Sequence, residues 1–214
     1  LGRTEFETTW RAMQDFTSGR DHQTSDQLWI TEHPPVYTLG LNRKDVRMPS
    51  RGDIPVVNTD RGGKITYHGP GQLVGYPIFD LENFFTDIHL YLRMLEEAII
   101  STCSDYGLTA GRIVGLTGVW IDPESESSRK ICAFGVKASR WISMHGFAFN
   151  VNTDLSYFAH IVPCGIASKG VTSLSKELGH VVDEKEVKDK VLGHLSRLFQ
   201  FELKNVSRET LQIL

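Results

Sequence analysis

Residues 61–79 read RGGKITYHGPGQLVGYPIF, with five glycines and two prolines in nineteen positions. Gly62 and Gly63 permit positive φ and let the backbone approach a ligand or a second strand closely. Gly69, Pro70 and Gly71 spell a tight turn. Between these breakers, residues 65–68 are β-prone, and residues 73–79 form the apolar run of a buried strand. The window therefore predicts strand, glycine turn, strand, with Arg61, Thr66, His68 and Gln72 projecting at the bend. It lacks the Gly-Lys-Ser/Thr end of a Walker A loop and the Gly-x-Gly-x-x-Gly spacing of a dinucleotide fold.

The rest of the chain alternates strand and helix signals without a regular βαβ rhythm. Residues 5–16 have helical spacing, with Phe6, Trp10, Met13 and Phe16 on one side. Strands are expected at 27–31, 36–39, 55–59, 112–121 (as a pair), 130–137 and 142–150. Helices are expected at 87–106, stopped by Gly107, at 172–178 and at 183–199, with a closing strand at 201–203. This mixture argues for α+β, with a mixed, mostly antiparallel central sheet flanked by helices. A length of 214 residues predicts one domain over 1–214. A net charge of −3 argues against a general nucleic-acid binder. No apolar run approaches a membrane span, and three cysteines in no zinc spacing predict a reduced, cytoplasmic setting.

One thiol stands apart. Cys164 lies in IVPCGI, where Pro163 fixes the backbone before it and Gly165 frees it afterwards. Most lone cysteines are small buried hydrophobes, but core cysteines lie inside regular elements, and this one sits in a bend. Cys103 falls in the predicted 87–106 helix and reads as packing. A nucleophilic thiol needs a neighbouring cation to lower its pKa. Lys130 and Lys137 share one predicted strand seven residues apart, so a regular strand turns them to opposite faces and only one can meet the thiol. By the same rule Cys132 shares the face of Lys130. His33, His68 and His145 read equally as satisfied structural histidines or as groups near a site; His68 and His145 could orient a substrate or donate to an oxyanion. Residues 129–176 carry six basic residues against one acid, Asp154, a net +5 that reads as a solvated face or as a dock for acidic carriers.

Set side by side, the segments 61–77, 32–40 (EHPPVYTLG), 130–135 (KICAFG) and 145–150 (HGFAFN) resemble the octanoyl transferases of lipoate biosynthesis, within the biotin/lipoate protein ligase superfamily. The resemblance covers almost the whole chain. It implies a biotin/lipoate protein ligase-like fold and transfer of octanoyl from octanoyl-acyl carrier protein to a specific lysine of lipoyl domains. It implies Cys164 and Lys130 as the catalytic pair, and Lys137 as a surface charge. It implies that Arg61, Gly62, Gly63, Lys64, Ile65, Thr66, Tyr67, His68, Ala133, Phe134, Gly135, Gly146, Phe147 and Ala148 line an acyl pocket, with His145 a candidate orienting group. The acceptors implied are the lipoyl domains of 2-oxoacid dehydrogenase E2 subunits and the glycine cleavage H protein. Thioester to amide is downhill, so no cofactor, nucleotide or metal is implied. Two alternatives stand beside this reading. An ATP-dependent lipoate or biotin ligase would need no cysteine nucleophile, and a catalytically silent acyl-binding protein would form no acyl-enzyme.

Overall fold

Helix α1 (Phe6–Ser18) forms where the 3.6-residue apolar spacing predicts it and buries Phe6, Thr9 and Met13. It follows a two-residue strand, β1 (Gly2–Arg3), and precedes β2 (Gln27–Glu32), β3 (Val36–Leu39) and β4 (Val56–Asn58). Strands β5 (Ile65–His68) and β6 (Gln72–Ile78) flank the glycine turn. Helix α2 (Ile88–Asp105) starts at Asp87, whose carboxylate accepts from the His89 and Leu90 amides at 2.8 and 3.0 Å. The strands β7 (Ala110–Ile113), β8 (Leu116–Ile121), β9 (Arg129–Ser139) and β10 (Ile142–Asn150) follow. The chain closes through β11 (Gly170–Val171), α3 (Leu174–Leu178) and α4 (Glu184–Phe199). The computed structural model describes residues 1–21, 23–44, 46–50, 52–162 and 169–206.

Among these residues the large sheet runs β1-β2-β6-β10-β9-β8-β7, with β11 joined to β9. Its pairs are antiparallel except β1 with β2 and β11 with β9, so the sheet is mixed and mostly antiparallel, as the sequence predicts. Its β10 strand is apolar on both faces, because both are covered. Phe147 and Phe149 pack with α2 and α4, through Leu95, Ile99, Val187, Val191 and Leu195. Met144 and Ala148 pack on the other side with Met13 of α1, Val74 and Tyr76.

A second sheet, β4-β3-β5, changes the meaning of the glycine turn. β5 pairs with β3 and β6 with β2 and β10, so the two strands do not pair with each other. The turn is a corner that carries the chain from one sheet to the other. Gly71 makes that corner at φ +77, with its carbonyl accepting from the Val151 and Asn152 amides at 3.2 and 2.8 Å. The predicted strand at 201–203 does not form; Phe201 instead packs its ring on Phe79 and Phe199.

Two glycines separate backbone strain from crowding. Gly115 has φ +78 and open space where a methyl group would stand, whereas a Cβ on Gly71 would meet the Asn152 carbonyl carbon at 2.6 Å. Gly115→Ala should cost about 1 kcal/mol, the ordinary penalty of left-handed backbone. Gly71→Ala should cost about 3 kcal/mol, since strain and collision add. Urea unfolding of both variants checks this, and equal losses would contradict it.

Candidate functional site

The two sheets and α1 enclose a cavity of about 40 Å³. Its walls come from Arg61, Gly63, Lys64, Ile65, Thr66 and His68, from Ala133, Phe134 and Gly135 on β9, and from His145, Gly146, Phe147 and Ala148 on β10. Most of the residues that the sequence predicts for an acyl pocket therefore meet around one space. Two do not line it. Tyr67 faces the opposite side of β5, stacked on Tyr157 at 4.7 Å. Gly62 stitches the sheets together, its amide donating to the Val136 carbonyl at 3.1 Å. Sequence reasoning missed Phe6, Val74 and Tyr76, which complete the walls. Their apolar spacing announces burial but not which surface is buried against empty space.

A smaller pocket adjoins this one, sharing Thr66, Ala133 and Ala148, and Lys130 lines it together with Gln72 and Asn150. Strand regularity would turn Lys130 into the helix-side core with Cys132. A β-bulge prevents this. Cys132 stands opposite Val119 and Lys130 opposite Trp120, leaving Ile131 as an extra residue in β9. Ile131 and Cys132 both enter the core under the helices, and Lys130 joins the cavity face. There the lysine is 6% exposed; its Nζ donates to the Thr117 carbonyl at 3.0 Å and lies 4.7 Å from the Trp120 ring centroid.

The bulge also overturns the argument that Lys130 and Lys137 face opposite ways. Lys137 shares the cavity face and pairs with Asp60 at 2.7 Å. With its side chain 37% exposed it remains a surface charge, paired with Asp60. Asp60 accepts in addition from His145 Nε2 at 2.7 Å and Trp10 Nε1 at 3.0 Å. The His145 hydrogen bond, reinforced by Lys137, holds the Asp60 carboxyl well below the usual range. Burial pushes His145 downward while Asp60 opposes it. His145 sits at φ +58, rare for a non-glycine, and is held there by Asp60 and by its amide on the Met13 sulfur at 3.2 Å. The +5 segment is likewise not one open basic face, because Arg129 pairs with Glu177 and Asp122, and Lys130 is buried.

His68 belongs to a directional chain of buried hydrogen bonds. The Arg61 guanidinium donates Nη2 to Thr38 Oγ1 at 2.9 Å and to the Thr38 carbonyl at 2.6 Å. The Thr38 hydroxyl then donates to His68 Nε2 at 3.2 Å, and His68 Nδ1 donates to Gln72 Oε1 at 2.8 Å. Gln72 Nε2 donates to Asn150 Oδ1 at 2.9 Å, and Asn150 Nδ2 to the Thr172 carbonyl at 3.0 Å. Every donor and acceptor fits a neutral His68, whose one N–H is spent on Gln72, so this histidine cannot also donate to an oxyanion. Burial, with His33 and Arg61 adding repulsion, drives its pKa well below 6.5. His33 is similarly satisfied. Its Nδ1 donates to the Thr4 carbonyl at 2.6 Å, and its Nε2 accepts from Tyr76 at 2.7 Å. Burial takes it down to about 4. It supports Tyr76 from behind the cavity wall.

Two of the three thiols are described. Cys103 and Cys132 are fully buried, and burial pushes Cys103 up to about 12 and Cys132 well above the ordinary thiol value. Cys164 lies outside the described residues. The chain is described again from Lys169, and β11 pairs its Val171 with Lys130, the Thr172 amide donating to the Lys130 carbonyl at 2.9 Å. Among the described residues no cluster of three or more His, Cys, Asp or Glu could hold a metal ion, and no helix is long and apolar enough to cross a membrane.

The profile of the lipoyl protein ligase A/B catalytic domain matches residues 5–196. The octanoyltransferase of Flavobacterium johnsoniae is 51% identical over 225 residues, covering 95% of this chain and 96% of that one. The chain belongs to this family, on its octanoyltransferase branch. The octanoyltransferase of Cytophaga hutchinsonii is 52% identical over 206 residues, covering 93% and 84% of the two chains. In fold, the chain is similar to a lipoate-protein ligase A bound with ATP, with a TM-score of 0.77 at 15% identity over 100% of this chain and 90% of that one. It is similar also to a bipartite lipoate protein ligase of Thermoplasma acidophilum, with a TM-score of 0.73 at 18% identity over 99% and 87%.

The buried histidines make this octanoyltransferase fold acid-sensitive. His33 and His68 have folded pKa values below the unfolded 6.5, so below that pH the unfolded chain binds protons that the folded chain refuses. Their contribution is intact above pH 6.5 and is lost as pH falls towards about 4 for His33. Each histidine should remove up to about 1.4 kcal/mol per pH unit inside that window. Urea unfolding at pH 7.5, 6 and 5 should show falling stability, with a shallower slope in His33→Gln; a flat or rising profile would contradict the assignment.

Proposed function

We propose that this enzyme moves octanoyl from acyl carrier protein to a lysine of a lipoyl domain through a thioester on Cys164, with Lys130 as the neighbouring cation. The Cys164 thiolate attacks the carrier thioester, the carbon–sulfur bond to the carrier breaks, and the carrier thiolate leaves with a proton from the Lys130 side. The acceptor lysine amine then attacks the new thioester. An amide bond forms, the Cys164 thiolate departs, and the amine's proton passes back towards Lys130. The cavity walls take the hydrocarbon chain, with Arg61, Thr66, Ala133, Gly135 and Ala148 facing it. The acceptors proposed are the lipoyl domains of 2-oxoacid dehydrogenase E2 subunits and the H protein of glycine cleavage. Residues 1–214 act as a single catalytic domain.

The observation that carries this reading is the bulge at Ile131. It turns Lys130 out of the core towards the pocket beside β11 while sealing Cys132 inside. Lys130 and Cys132 therefore no longer share a face, and neither described thiol has the exposure or the lowered pKa that a nucleophile needs. Structural likeness to ATP-bound ligases at 15% identity speaks to the fold alone, whereas octanoyltransferase relatives at 51% identity favour transfer without nucleotide.

Cys164→Ser should lower transfer to a lipoyl domain by about 10³-fold or more without ATP, because a serine hydroxyl does not ionise near neutral pH. Cys103→Ser and Cys132→Ser should lose stability and keep turnover. Lys130→Met should lose activity at pH 7 and regain part of it at higher pH, where the thiol ionises unaided. A Cys164→Ser variant that still transfers octanoyl, or ATP-dependent transfer by the native enzyme, would overturn the reading.

A further inference from the structure

Helix α2 interrupts its apolar stripe with a carboxylate. Glu96 follows Leu95 and precedes Ala98 and Ile99, yet it is as deeply buried as they are, at 0% exposure. A buried charge is costly unless it is paired. Glu96 Oε2 accepts from Arg93 at 2.6 Å on α2 itself and from Arg112 at 3.0 Å on β7. Its other oxygen, Oε1, accepts from the Gly118 amide of β8 at 3.1 Å.

That amide shares a peptide group with the Thr117 carbonyl, the acceptor of the Lys130 ammonium. In a planar trans peptide the N–H and C=O point in opposite directions. Glu96 thus holds one end of a single peptide dipole and Lys130 the other, and each polarises the group in the sense that strengthens the other's bond. Gly118 is shaped for this. It has φ +136, and a Cβ there would meet Lys130 Cε at 2.9 Å, so the lysine stem lies across bare backbone. The charged groups bonded to this peptide are Glu96 from α2 and Lys130 from β9; Arg93 and Arg112 stand behind Glu96, and Glu97 of α2 shares Arg112.

We propose that Glu96 is a positioning residue for Lys130, acting through the Thr117–Gly118 peptide group. The inference rests on Lys130 being the cation beside the Cys164 thiolate. The arginines fix the carboxylate, the carboxylate fixes the peptide, and the peptide carbonyl fixes where the ammonium sits.

The experiment is the pH dependence of Cys164 alkylation by iodoacetamide, read by peptide mass, and of octanoyl transfer, with thermal unfolding in parallel. Glu96→Gln removes the charge, and Glu96→Asp keeps it but withdraws it from the Gly118 amide. Both should raise the midpoint by about half a pH unit or more, a roughly threefold loss of alkylation rate below the midpoint. In a Lys130→Met background neither should move the midpoint further. Should the Glu96 variants fail to fold, Gly118→Ala, which pushes on the lysine from the same peptide, should raise it too. Glu96 variants that lower thermal stability and leave the midpoint in place, with Lys130→Met shifted, would overturn this inference alone. A Lys130→Met midpoint equal to the native one would overturn the role of Lys130 and this inference with it.

Discussion

One inserted residue sets the geometry of the site. Ile131 breaks the alternation of β9 opposite Trp120, and every side chain before it changes face. Without that bulge the lysine would point with Cys132 into the core under α2 and α4, where burying its charge is costly. With it, a strand that packs Ile131, Cys132 and Val136 against the helices also presents Lys130, Ala133 and Gly135 to the two pockets. The bulge thus satisfies core packing and site chemistry in one strand.

The site built on this strand is rigid by hydrogen bonding as well as by packing. Arg61, Thr38, His68, Gln72 and Asn150 donate in sequence from the small sheet across to Thr172, beside Lys130. A fully satisfied buried network specifies one arrangement, because each broken link leaves an unpaired polar group in low dielectric. The histidines that look catalytic in the sequence serve this framework. His68 and His33 are neutral struts, and His145 is clamped by Asp60. Preorganised walls suit an enzyme whose substrate tail is flexible, since ordering is completed during folding rather than on binding.

Much of the fold was legible in the sequence. Helical spacing and caps located α1, α2 and α4, and the glycine window located the strands that wall the cavity. Nearly all of the cavity's lining was named by the resemblance of the motif blocks to the octanoyl transferases, not by composition or spacing. What stayed hidden follows from interactions distant in sequence. The bulge at Ile131 depends on pairing with β8, so period-2 reasoning placed Lys130 with Cys132 and opposite Lys137. The corner at Gly71 reads like a hairpin turn, and only the partners of β5 and β6 show that it joins two sheets. Nothing in the spacing of α2 singles out Glu96, whose burial depends on Arg112 and Gly118 from other strands. Phe201 packs its ring on Phe79 without completing a strand at 201–203.

The central claim is that one thiol, Cys164, holds the acyl group in transit. The most direct measurement mixes native enzyme with octanoyl-acyl carrier protein in the absence of nucleotide and lipoyl domain, quenches in acid, and maps the adduct by peptide mass spectrometry. The account predicts a hydroxylamine-labile octanoyl group on the peptide containing Cys164, chased to lysine when a lipoyl domain is added. An octanoyl group on Cys132 or Cys103, or no covalent adduct in an enzyme that still transfers, would contradict it.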